Sequence, residues 1–302
     1  MRSVARLLAA TLASTSASTI ARSTATLSNG LTLEWLKAGA TSSTPPVLFV
    51  HGTFHGAWCW EENWMHRFAA AGLECHAISL RGTSASPCDA RSVKISEHVD
   101  DLRCFVEEAL DRTPPILVGH SFGGASVLKY LEAGHPASGA VLLCSVPPSG
   151  NSAMTLRFLR RSLRQAFAIT RGFALKTAAT NLNDCRALFF DERSSDAELS
   201  AFLPRLEADS QVGLDLRYFN ANLPSAAATP DSRAAWLPSA PPCLVIGAER
   251  DAVVDVVGVE ETAHFLGIDG AELFDLPHDV MLCHGWEAPA DRVIEWSRAL
   301  SL

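Results

Sequence analysis

The chain has 302 residues, of which 48% are hydrophobic and 19% charged, and its formal net charge is −8. That balance suits a globular chain and excludes a disordered one, and the negative charge argues against nucleic acid as a partner. No run of about 18 apolar residues appears, so no transmembrane helix is expected.

The first 33 residues differ in kind from the rest. They hold Arg2, Arg6 and Arg22, many Ser, Thr and Ala, and no acidic residue. That composition reads as an organelle transit peptide, addressed to a plastid or mitochondrion, ahead of a folded part beginning near residue 34. A secretory signal around Leu7-Leu8-Ala9-Ala10 and a merely unstructured terminus are the competing readings, with a cytoplasmic location if no address is read.

Leu31 to Leu36 alternates loosely and suggests an early strand. Val47 to Val50, after a Pro pair, is a short apolar run suited to a strand buried on both faces. Ala57 to Ala71 carries helical spacing and ends at Gly72, a C-cap residue. Cys75 to Leu80 reads as a strand, and Ser96 reads as the N-cap of a helix reaching Leu110. Ile116 to Val118 is a strand, Phe122 to Glu132 a helix, and Ala140 to Val146 a strand. Strands also fit Cys243 to Ile246 and Glu272 to Leu276, with a helix between them and a last helix near Ala290 to Leu300. Such alternation implies a mainly parallel sheet flanked by helices, built from residues 34–146 and 239–302. Residues 147–238 show helical patterns without a convincing strand, as expected of a helical lid inserted over the carboxyl ends of the strands.

The chemistry centres on Gly119-His120-Ser121-Phe122-Gly123. A GxSxG match arises by chance in about one chain in ten of this length, so position decides its meaning. It lies between a buried strand and a helix, where a nucleophile elbow holds a serine hydroxyl out over the sheet edge. A hydroxyl needs a base to become a nucleophile. In this arrangement an acid and then a histidine follow the serine, each just past a strand. Asp251 and His278 meet that requirement; Glu249, Asp255 and Asp279 are the alternative acids and His284 the alternative base. His264 and the histidines at 66, 76, 98 and 135 read as packed or solvated. An oxyanion hole needs two backbone N–H groups. One falls to Phe122, at a helix N-terminus, and the other to Thr53 in the loop His51-Gly-Thr-Phe-His-Gly56, which His51 and His55 are expected to shape.

With those residues in place, the chain resembles the α/β-hydrolase superfamily from about Pro46 to Ala299. The stretch His51-Gly-Thr-Phe-His-Gly-Ala-Trp-Cys-Trp60 is similar to a segment of the plant methylesterase and hydroxynitrile lyase group. The same segment occurs in lysophospholipase-like plastid and bacterial relatives, whose histidine loop His278-Asp-Val-Met-Leu resembles. The resemblance implies a triad of Ser121, Asp251 and His278 acting on a carboxylic ester, thioester or amide. The chain departs from it at Ser84, where glycine is usual, and has no lysine after Lys176, which cyanohydrin-cleaving members use. A serine at the elbow argues against dehalogenase and epoxide hydrolase chemistry, which use an aspartate there. The alternatives are a lyase of the same fold and a ligand receptor without hydrolysis. No cofactor or metal is implied. The eight cysteines form no CxxC pair and read as reduced thiols.

The expected partner is a small-molecule or lipid-like ester. Met154 to Gly172 mixes Leu, Phe and Met with five arginines at helical spacing. The plain reading is a cap helix packed on the core with solvated arginines. The functional one adds peripheral contact with a membrane surface through the lid.

Overall fold

The computed structural model describes residues 19–300. Its first strand, β1 (Ala21–Thr26), pairs antiparallel with β2 (Thr32–Ala38) over six residues, Ala21 against Lys37 through Thr26 against Thr32. The sequence boundary at residue 33 therefore falls inside the sheet. Residues 1–18 of the expected leader lie outside the described residues. The physical reason for the difference is that β1 is exposed along most of its length. Its Ser, Thr and Ala need no hydrophobic partner, because backbone pairing holds the strand. Arg22 adds ion pairs to Glu34 on β2 and, at 2.8 Å, to Glu61.

The core strands are β3 (Val47–Val50), β4 (Cys75–Ser79), the short β5 (Ser92–Val93), β6 (Ile116–His120) and β7 (Gly139–Leu143). Every residue of β3, β4, β6 and β7 is buried, as helices on both faces of a parallel sheet require. Helices α1 (Trp58–Glu61), α2 (Trp64–Ala70), α3 (Ile95–Glu108) and α4 (Phe122–Glu132) connect them. The expected helix over Ala57 to Ala71 is thus two, broken at Asn63, whose ψ of −62° at φ −139° leaves the helical region. Gly72 closes α2 at φ +81°. Helix α3 begins at Ile95, so Ser96 is not its cap. Glu97 reaches back to the Lys94 N–H at 2.9 Å and satisfies the first turn instead.

The chain then enters an insertion of α5 (Asn151–Arg161), α6 (Leu163–Ala174), α7 (Thr177–Thr180), α8 (Leu182–Phe189), α9 (Asp196–Asp209), β8 (Gly213–Leu214) and α10 (Leu216–Ala221). It is helical as expected, except for β8, which pairs with β5 beyond the main sheet. The amphipathic stretch over Met154 to Gly172 is two helices, because Ser162 is extended at φ −161°. The chain returns through β9 (Cys243–Ala248), α11 (Val256–Phe265), β10 (Glu272–Phe274) and α12 (Glu287–Ala299).

Strand order in the main sheet is β1-β2-β4-β3-β6-β7-β9-β10, parallel from β4 to β10. From β3 the chain moves to β4 on one side; after β6 it moves to β7 on the other. Ligands of open α/β sheets bind at such a switch point, beyond the carboxyl ends of the two strands. The loops leaving β3 and β6 here are His51–Gly56 and the turn at Ser121. Beneath them Phe49 stacks on Trp60 at 4.7 Å and meets Phe68 edge-on at 5.0 Å, an aromatic bed that fixes the β3 end. Among the described residues no helix is long and apolar enough to cross a membrane.

Candidate active site

Ser121 stands between β6 and α4 at φ +54°, ψ −121°, a region that side-chain-bearing residues rarely adopt. The surroundings hold it there. Its N–H donates to Leu143 O at 3.1 Å, and its carbonyl accepts from Gly124 N at 3.0 Å and Val146 N at 3.2 Å. The two glycines of the motif are required by close approach. A Cβ on Gly123 would lie 2.4 Å from Val50 O and 2.5 Å from His51 O, and one on Gly119 2.7 Å from Gly123 O. The turn is therefore pressed against the end of β3, which brings the serine beside the His51–Gly56 loop.

His278 follows β10, and its Nδ1 donates to Asp251 Oδ2 at 2.7 Å, both side chains being fully enclosed. Asp251 follows β9. Its other oxygen accepts from the N–H groups of Val253 at 2.7 Å and Val254 at 2.8 Å, so the carboxylate is satisfied as an anion. This pairing places the proton on Nδ1 and leaves Nε2 as the basic nitrogen. His120 Nε2 donates to the His278 carbonyl at 3.0 Å, and the two rings lie 4.7 Å apart. The Cys144 thiol sits against Asp251, and burial together with that carboxylate pushes its pKa well up, which keeps it protonated. Ser121 Oγ itself makes no hydrogen bond. The structure thus pairs His278 with Asp251 and holds Ser121 in the turn after β6, with no hydrogen bond between Ser121 and His278. Catalytic contacts are commonly loose before substrate binds.

The alternative acids and base are occupied elsewhere. Asp255 caps α11 through Gly258 N at 3.0 Å and takes a two-pronged contact of 2.6 Å from Arg157. Asp279 is engaged by His55 at 3.0 Å, although its carboxylate also lies within 4.8 Å of a His278 ring nitrogen. Glu249 is exposed. His284 lies half in solvent, 3.2 Å from Glu198.

Both expected oxyanion donors, Thr53 and Phe122, line one open cleft with Phe54, His98, Val212 and Leu214. Ser121, Asp251 and His278 do not line it. The two loop histidines do shape the loop, in opposite charge states. His51 Nδ1 donates to Gly52 O at 2.8 Å, and Nε2 accepts from Leu80 N at 2.9 Å. Burial lowers its pKa to about 3, so it is neutral. His55 instead has two acceptors, Thr53 O at 2.8 Å and Asp279 Oδ2 at 3.0 Å. Burial works against its charge, but the Asp279 carboxylate outweighs it and the pKa is raised. Ser84 adopts φ +49° and gives its N–H and hydroxyl to Asp209 at the end of α9. This contact fastens the insertion to the cleft. Trp58 Nε1 donates to the same carboxylate at 2.8 Å.

Sequence spacing could not have revealed the roles of Cys144, His120 or the His55–Asp279 pair, since the partners lie up to 224 residues apart. Two clusters, His120–His278–Asp279 and Cys144–Asp251–His278, bring three potential metal ligands within 4.8 Å. Hydrogen bonds already engage His278 Nδ1 and His120 Nε2 in these clusters.

Residues 47–296 match the model of the alpha/beta hydrolase family. Among curated proteins, a pheophorbidase of Raphanus sativus is 33% identical over 96 residues, covering 32% of this chain and 36% of that protein. Methylesterase 10 of Arabidopsis thaliana is 35% identical over 89 residues, covering 28% and 31%. The chain thus spans about a third of the length of these two relatives. A solved esterase from Thermogutta terrifontis superimposes with a TM-score of 0.68 at 17% identity, covering 93% of this chain and all of that one.

Proposed function

The chain belongs to the alpha/beta hydrolase family, and from that premise we propose that it hydrolyses carboxylic esters through Ser121, His278 and Asp251. The observation that carries this reading is the enclosed 2.7 Å bond between His278 and Asp251 beside a serine held at φ +54°. His278 Nε2 takes the proton of Ser121 Oγ as that oxygen attacks the ester carbonyl. The negative oxygen so formed is held by the N–H groups of Phe122 and Thr53. One such donor contributes about 3–4 kcal/mol to the transition state. Collapse breaks the ester bond, and His278 hands its proton to the departing alcohol. Water, deprotonated by the same nitrogen, then releases the acid from the acyl-serine. Asp251 holds the imidazole and stabilises its cation throughout.

The names of the matched relatives make methyl esters of carboxylic acids the first substrates to try. Thioesters and amides fit the same chemistry. The helical insertion, with Phe189 ring-stacked 6.1 Å from His278, sets the limits of the substrate from above. We also propose, on composition alone, that residues 1–18 direct the chain to a plastid or mitochondrion.

A fluorophosphonate probe tests the proposal. Labelling is expected on Ser121, with Ser121→Ala abolishing it and lowering kcat on a methyl ester about a millionfold. A folded wild-type chain that takes no label would overturn the esterase reading and leave a binding-only pocket.

A further inference from the structure

The described residues expose seven large apolar side chains, and five of them lie within twenty residues on the insertion: Leu156, Leu159, Leu163, Phe167 and Leu175. Leu163, Phe167 and Leu175 are 74%, 67% and 69% exposed. Their spacing is not random. Leu156, Leu159 and Arg160 share the outward face of α5, while Met154 and Phe158 turn inward and are buried. On α6, Leu163 and Phe167 face outward, one turn apart, while Ala166 is buried. The charge of this segment is equally one-sided. Between Ala133 and Asn183 there is no Asp or Glu, and there are six basic residues: Arg157, Arg160, Arg161, Arg164, Arg171 and Lys176. Arg157 and Arg171 are tied to Asp255 and Asp184. Arg160 stands exposed among the leucines. Elsewhere the chain must carry a net charge of −14 to reach its total of −8.

We propose that the outer face of α5 and α6 docks on an anionic lipid surface. Apolar side chains exposed on adjacent helix faces gain by entering the boundary between head groups and acyl chains, and basic residues beside them meet the negative head groups. A soluble partner with the same acidity would satisfy the charge but give no reason for a leucine and a phenylalanine to stand in water on consecutive turns. The inner side of α6 reaches the site. Phe173 stacks on Phe54 of the oxyanion loop at 5.4 Å and meets Phe189 at 5.9 Å. Docking would therefore place the cleft one helix away from the lipid, whether or not the ester reading holds.

Pelleting of the full chain with vesicles tests the proposal. Binding is expected to phosphatidylcholine vesicles that contain phosphatidylglycerol, and not to phosphatidylcholine alone. Arg160→Glu changes the local charge by two units and should weaken partitioning by roughly tenfold or more. Leu163→Ser combined with Phe167→Ser should weaken it by a similar factor. Both side chains are largely in solvent in the free protein, so the Tm of the double variant should match that of the wild type. Failure to bind either vesicle overturns the proposal, as does equal binding to both. So does a dimer in lipid-free solution, seen by light scattering, that the double variant converts to monomer, because the face would then belong to a second copy of the chain.

Discussion

Around His278 the polar atoms are enclosed: Asp251 accepts three hydrogen bonds, His55 and Asp279 share one, and Cys144 lies against the acid, while His120 Nδ1 and Asp279 Oδ1 have no partner. In α5 and α6 the arrangement is inverted. Large apolar side chains stand outside and basic residues have no acidic neighbour in sequence. The first region is specified by strand ends that cannot shift without breaking the sheet. Helix α5 is tied to the core by Arg157 with Asp255 and α6 by Phe173 on Phe54, while the rest of the insertion is fastened by Asp209 with Trp58 and Ser84, Asp191 with Arg250 and Arg205 with Glu62. The proposed chemistry thus falls to the sheet, and the proposed docking surface to the insertion.

Two carboxylates four residues apart put a sharp edge on that contrast. Asp251→Asn should lower kcat by about 10⁴-fold with little change in fold, because the imidazole loses the acceptor that fixes its tautomer. Asp255→Asn should leave kcat near the wild-type value. An equal loss from both variants, measured on one methyl ester, would show that the tether and the triad are not separable.

Asp279→Asn probes the rigid part without touching the reacting atoms, and should cost about 3–5 kcal/mol of stability near neutral pH because it leaves His55 buried without its counter-charge. The sign of the pH dependence follows from the raised pKa of His55. The pair's contribution is complete below the unfolded histidine value of about 6.5 and is lost as pH rises through the folded one. The stability gap between wild type and variant should therefore be widest in mild acid and narrow toward alkaline pH. A gap that is constant with pH, read from denaturant midpoints, would mean that His55 is neutral in the fold.

The smallest effect belongs to the tether's own stability. Asp255→Asn keeps a capping side chain at α11 but loses the charged contact with Arg157, and should cost about 1 kcal/mol. A shift in Tm beyond a few degrees would mean that the insertion is fastened to the core more firmly than its contacts suggest.

Much of the rigid part is legible in sequence. Val47 to Val50 and Ile116 to Val118 are continuous apolar runs because helices cover both faces of the strands, and Gly119 and Gly123 are fixed by distances under 3 Å. Asp251 and His278 follow from their places past β9 and β10. Strand β1 is not legible, since its stability lies in backbone pairing with β2 and its side chains look like those of an unfolded leader. The break at Ser162 is equally silent, because residues on both sides keep helical spacing. The pairing of β5 with β8 joins two-residue segments about 120 residues apart, too short for any periodicity to mark.

Strand β1 also bears on how the chain can be matured. Any peptidase that trims the N-terminus must stop before Ala21 if the sheet is to keep its eight strands. A cut ten residues later would strip β1 from β2 and release Glu34 from Arg22. The freed backbone of β2 would then present unpaired N–H and C=O groups along the six residues that β1 had covered, a template on which a second trimmed chain could add a strand. The position of one cleavage therefore decides whether the sheet ends on the short polar strand β1 or on the more apolar β2, although Ser121, Asp251 and His278 would survive in either product.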